Sequence, residues 1–325
     1  MTITVDVLLA PPDGTMLLSA VGGDEIKRRH PPTLPIMRTR FPILLIALAL
    51  VAVACGGDTP AESTSATTSA TGAAQPFGAD AFGFVASSNV AVGTERLLVT
   101  VSDDSGQRLP SPDIPVSMNI WLDGREFQVQ TVDGIFLWAI PNVSGLYRAE
   151  VEFDVAGTWV IQIVPEGGAP LDAIGITVYE EPFTPAIGEP APRSETLTSA
   201  DAPISEISSD SDPDPSFYEM SVAEAVTSGR PSVIIFATPR FCTTAICQPT
   251  LELMRSLAPQ YPDVNFLHVE VFTNINDPDN IELAPAVEEW GLPTEPWVFV
   301  VDAEGIVIGR YEGVATAEEM AEVLG

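Results

Sequence analysis

Positive charge is scarce in this chain. Its 325 residues carry 14 Lys and Arg against 45 Asp and Glu, a formal net charge of -31. That balance repels phosphate backbones and anionic headgroups, so binding to nucleic acid or to an anionic membrane surface by charge is excluded. It suits a secreted protein that its acidity keeps soluble. Soft metal ligands are equally sparse: of two histidines only His268 follows Cys55, and there are three cysteines, Cys55 alone and Cys242 and Cys247 as a local pair. No cofactor or metal is expected from so thin a set. Long apolar runs are limited to one, Phe41 to Ala54, too short to span a bilayer comfortably. What remains, with 46% hydrophobic residues, is long enough for two modest folded domains plus tails.

Five of the 14 basic residues, Lys27, Arg28, Arg29, Arg38 and Arg40, precede that apolar run, and Cys55-Gly56-Gly57 comes directly after it. A basic flank, a short apolar core and small residues make an export signal. Small residues directly before a cysteine resemble the lipobox of bacterial lipoproteins, with Ala52 where that box more often has Leu. The resemblance implies that Cys55 becomes the acylated first residue of the mature chain, held to the outer face of a bacterial membrane by several acyl chains. An ordinary cleaved signal or an uncleaved anchor is the alternative. Met37-Arg38-Thr39-Arg40 is a conventional signal start, so translation is expected to begin at Met37, within a leader covering 1–54. Gly56 to Gln75, rich in Ser, Thr, Ala and Gly, reads as a flexible tether, placed at 55–76.

Residues 77–180 alternate short β-like runs with turns at Asp123-Gly124, Asp133-Gly134 and Ala156-Gly157. Seven or eight strands in about 100 residues predict an all-β, immunoglobulin-like sandwich. The stretch Gly145 to Trp159 resembles YtkA-like and FixH-like extracytoplasmic sandwiches. This span has no His or Cys and only Met118, so a copper site is not expected, and Trp121, Trp138 and Trp159 read as packing aromatics.

Seven prolines and an acidic run at Ser208 to Asp212 make 181–215 an extended interdomain linker, with room to pack in part against the second domain. From 216 to 325 the elements alternate in type: helix-like Val222–Ser228, strand Ser232–Ala237, helix Pro249–Ala258, strand Val264–Phe272, helix Ala284–Trp290, strands Trp297–Asp302 and Ile306–Tyr311, and helix Ala317–Leu324. With Phe236 to Pro249, the segment Glu295-Pro296-Trp297 to Gly305 and the phrase Ile187 to Pro192, this order resembles the thioredoxin-like redoxins of membrane-anchored proteins. The resemblance implies an α/β thioredoxin-like fold, Cys242 as attacking thiol, Cys247 as resolving thiol, and Pro296 as a cis-proline facing both.

Two features depart from that pattern. The cysteines are spaced C-x4-C, and residues five apart on one helix point about 140° apart. Either Cys242 to Ile246 is a loop with the helix starting near Cys247, or redox change melts the first turn; Pro249 favours the loop, because proline is tolerated in an opening turn. Ile235 stands where thioredoxins bury an acid, leaving Glu295 as the candidate to move the proton and Arg240 as a candidate to favour thiolate. The expected partners are protein thiols and disulfides and an unidentified redox partner. Cys-Thr-Thr-Ala-Ile-Cys also resembles the bacterioferritin-comigratory peroxiredoxins, so thiol peroxidase is an alternative, although Thr238 and Arg240 stand off that family's positions. A third reading is a non-catalytic interaction or metal-chaperone module with a structural disulfide and His268 as distal ligand.

Overall fold

The computed structural model describes residues 75–325. Met37, the apolar run, Cys55 and the tether to Ala74 lie outside the described residues. Seven strands come first: β1 (Phe82–Val85), β2 (Gly93–Ser102), β3 (Val116–Leu122), β4 (Gln130–Ile140), β5 (Ser144–Phe153), β6 (Gly157–Pro165) and β7 (Ile174–Val178). All neighbouring strands run antiparallel, in the order β1-β2-β5-β4-β3-β6-β7. One strand makes the two layers: β4 pairs with β3 over Gln130–Gly134, then with β5 over Ile135–Ile140. The inward face of this β-sandwich follows the period-2 alternation of the strands, as in Tyr147, Ala149, Val151 and Phe153 of β5, all buried. Trp159 is buried edge-on against Phe153, whereas Trp138 is 40% exposed.

The segment from 181 to 215 packs in part against the second region. Its residues 188–191 lie along an edge strand: Gly188 N–H donates to the Val307 carbonyl and Val307 N–H to the Glu189 carbonyl, at 2.8 and 2.9 Å. Covering an otherwise unpaired edge satisfies backbone groups that no side chain can reach. Further on, Ser194 accepts from Trp290 Nε1 at 3.1 Å, and Ile207, on the short helix α1 (Ile204–Ile207), is buried in the core. The Phe183 carbonyl lies so close to Gly291, at φ 60°, that a Cβ there would overlap it.

The rest of the chain contains α2 (Val222–Ala225), β8 (Ser232–Ala237), α3 (Cys247–Leu257), β9 (Asn265–Glu270), the small β10 (Phe272–Thr273) and β11 (Glu282–Leu283) pair, α4 (Pro285–Glu289), β12 (Trp297–Val301), β13 (Val307–Glu312) and α5 (Ala317–Leu324). A four-stranded sheet runs β13-β12-β8-β9, with β8 and β9 parallel and the other pairs antiparallel. All six residues of β8 are buried, as expected of a central strand covered on both faces. Ile235 and Ala237 face a core with Leu251, Met254 and Met320 from α3 and α5; Ile234 and Phe236 face one with Val222, Val287 and Trp290.

The sandwich meets this second region through charged pairs. Glu319 of α5, 5% exposed, takes Arg96 at 2.6 Å and Arg148 at 3.2 Å, and Glu95 takes Arg310 at 2.7 Å. Leu98, Leu146 and Val314 form a small apolar cluster beside them.

Candidate active site

β8 and β12 are antiparallel with Trp297 opposite Phe236, so the chain leaving β8 and the chain entering β12 meet at one end of the sheet. The first carries Cys242 and the second Glu295-Pro296. Cys242 to Ile246 is a loop and α3 begins at Cys247. Ala245 turns the loop in the left-handed region at φ 60°, a conformation that costs a non-glycine residue about 1 kcal/mol. Pro249 falls in the opening turn, where its missing N–H costs no helical bond.

No side chain caps α3 at Ile246; the sulfur of Cys242 does part of that work, accepting the Cys247 N–H at 3.4 Å. It also lies 3.3 Å from the Thr244 hydroxyl. Donors converging on one sulfur favour its anion. The Cys242 thiol is accordingly lowered from 9.0 to about 5, first by the hydrogen bond from the Cys247 side chain, with Thr244 and backbone N–H groups adding and partial burial opposing. Cys247 is fully buried, and its thiol is pushed up because it donates to Cys242 and is shut away from water; the Thr238 backbone N–H opposes this weakly. The pair is thus divided into an accessible thiolate and a buried thiol.

Glu295 is partly buried; burial, then the charge of Cys242, raise its carboxyl pKa, with the Thr243 backbone N–H opposing weakly. The Glu295–Pro296 peptide is cis, and Pro296 is buried with its carbonyl accepting the Gly313 N–H at 2.8 Å. Cys242, Cys247, Glu295 and Pro296 therefore come together.

Arg240 does not join them. Its guanidinium donates to the Ile275 carbonyl at 3.0 Å and to Asn276 at 3.2 Å. The main causes that lower Cys242 are hydrogen bonds, and Arg240 is not among them. His268 is also occupied: Nε2 donates to the Ala237 carbonyl at 2.9 Å, so Nδ1 accepts from the Tyr218 hydroxyl at 2.7 Å, and burial lowers its pKa. With both ring nitrogens used it is not free to join the cysteines. Among the described residues no group of three or more His, Cys, Asp or Glu is arranged to hold a metal ion, and no helix is long and apolar enough to cross a membrane.

Thr244 and the Thr238 and Thr243 amides were not singled out in the sequence. A hydroxyl two residues after the first cysteine was a legible signal for Thr244; backbone donors carry none. No protein-family model matches this chain, and no curated protein or solved structure matches it either.

Proposed function

We propose that the protein is a thiol–disulfide oxidoreductase of thioredoxin-like fold, its sandwich of immunoglobulin-like type, exported and anchored to the outer face of a bacterial membrane through a lipid on Cys55. One observation carries the chemistry: a half-exposed Cys242 whose sulfur accepts the first N–H of α3, paired with a buried Cys247. The strand order β13-β12-β8-β9, with a helix following the first cysteine and a cis-proline opposite, supports the fold assignment.

In the reducing direction the Cys242 thiolate attacks one sulfur of a partner disulfide. A Cys242–partner bond forms, the partner's S–S bond breaks, and the departing thiolate takes a proton from solvent. Cys247 then attacks the Cys242 sulfur, its proton passing to the Glu295 carboxylate. The Cys242–Cys247 bond forms as the Cys242–partner bond breaks, the departing partner thiolate takes the proton back from Glu295, and the partner leaves as a dithiol, two electrons richer. An external dithiol donor of low potential restores the pair, and run backwards the same steps oxidise a partner.

The test is reduction of insulin disulfides, with hydrogen peroxide consumption measured in parallel, by the wild type beside Cys242→Ser and Cys247→Ser. The expected result is disulfide reduction lost by at least about a thousandfold in Cys242→Ser, with Cys247→Ser stalled as a mixed disulfide. Peroxide turnover that depends on Cys242, without disulfide reduction, would establish a peroxidase instead.

A further inference from the structure

We propose that the sandwich is a working part of this site: Ser88, acting through Glu312 and Thr294, positions Glu295 opposite Cys242. The consequence for turnover rests on the oxidoreductase reading, whereas the positioning itself stands on contacts alone.

Ser88 lies in the loop between β1 and β2, and its N–H donates to Glu312 Oε2 at 2.8 Å while its hydroxyl donates to Oε1. The Thr294 hydroxyl donates to the same Oε1 at 2.7 Å and accepts from Trp297 Nε1 at 3.2 Å. Glu312 ends β13 and is paired in register with Trp297 at the start of β12. One carboxylate therefore gathers three donors, two of them from the sandwich, and fixes the residue immediately before Glu295. Hydrogen bonds to an ionised acceptor are roughly twice as strong as neutral ones, so this grip is firm for an exposed contact. Glu295 follows Thr294 directly and opens the cis peptide into β12, at the end of the sheet where the cysteine loop leaves β8. The other flank of that loop is braced as well: Ile246 packs into the cluster of Leu98, Leu146 and Val314. Second-region contacts alone would hold Glu312 only through Thr294.

The groups that face Glu295 are the Cys242 and Cys247 thiols and the Thr243 N–H, with Glu312 beyond Thr294; those that face Cys242 are Cys247, Thr244 and Glu295. Ser88, Glu312 and Thr294 are positioning residues, because none of them is a partner of either sulfur.

The experiment measures the pH dependence of Cys242 alkylation by iodoacetamide in the full reduced protein, read by mass spectrometry, together with disulfide turnover. Ser88→Ala removes the sandwich's hydroxyl donor to Glu312, and Thr294→Val removes the Thr294 hydroxyl without changing charge or size. Releasing Glu295 takes a like charge away from Cys242, so the alkylation midpoint is expected to fall by about 0.5–1 pH unit, in the same direction as in Glu295→Gln. Thr294→Ser should restore the wild-type midpoint, and the Thr294→Val, Glu295→Gln double variant should fall no further than Glu295→Gln alone. A wild-type midpoint in Ser88→Ala or in Thr294→Val, or a shift that adds in full to that of Glu295→Gln, overturns the proposal. Shifted midpoints in a protein that turns over no disulfide would remove the oxidoreductase reading and leave the positioning intact; turnover with unshifted midpoints would do the reverse.

Discussion

The two regions of this molecule bury similar strands for different ends. In the sandwich the interior is sealed by residues such as Met118, Ile120, Ile161 and Ile163, each fully buried. In the second region the sheet is equally dry at its centre, but one end opens into two loops that hold a thiolate, a buried thiol and a carboxylate within one another's fields. Apolar burial is non-directional and only stabilises. Chemistry begins where strand ends bring hydrogen-bond donors to groups that can ionise, and there the second region depends on the first for support.

Ile161→Ala in β6 tests the stability half of that contrast. Emptying a fully buried isoleucine site is expected to cost about 4 kcal/mol, read as a lower urea midpoint, while Cys242 keeps its alkylation midpoint in the folded protein. A shifted midpoint would show that the two regions are less separable than their cores suggest. Glu319→Gln attacks the junction. Gln cannot compensate the Arg96 and Arg148 charges, so a loss of about 3 kcal/mol is expected, and a single unfolding transition should broaden or split in two. An unchanged single transition would mean that the apolar cluster at Leu98 and Val314 suffices to couple the regions.

Cys247→Ala is the smallest perturbation and the most local. It deletes the donor that contributes most to lowering Cys242, so the alkylation midpoint should rise from near 5 by at least about one pH unit, or about 1.4 kcal/mol. The sign carries into stability. A thiol whose pKa falls from 9.0 unfolded to about 5 folded stabilises the reduced protein fully above pH 9, and that contribution is lost as pH falls through 5. In Cys247→Ala the gain in stability between pH 5 and 9 should shrink. A midpoint that stays near 5 would assign the thiolate to Thr244 and the helix start instead.

Much of this was legible along the chain because it is local. Alternation in β5, the apolar run Val233 to Ala237 of β8, the turn glycines and the proline two residues past Cys247 each report on their own backbone, and they place the strands, the loop before α3 and the cysteine pair. The spacing favoured a helix start near Cys247, whereas the roles of the two cysteines came only from the resemblance to redoxins.

Tertiary structure decided what depends on direction and distance in space. A proline-rich stretch reads as extended whether or not an edge strand waits beside it, so the covering of β13 by residues 188–191 carried no mark in composition. Arg240 stands two residues from Cys242, yet its long side chain turns to the Ile275 carbonyl, because a loop residue's rotamer answers to its neighbours in space and not to its neighbours in sequence. Ser88 and Glu312 lie 224 residues apart, and Arg96 and Glu319 lie 223 apart. The residue types of the cysteine pair were thus determined by the sequence. Which carboxylate faces them, and what holds it there, was decided by packing one region on the other, since hydrogen bonds act over about 3 Å of space however long the chain between their partners.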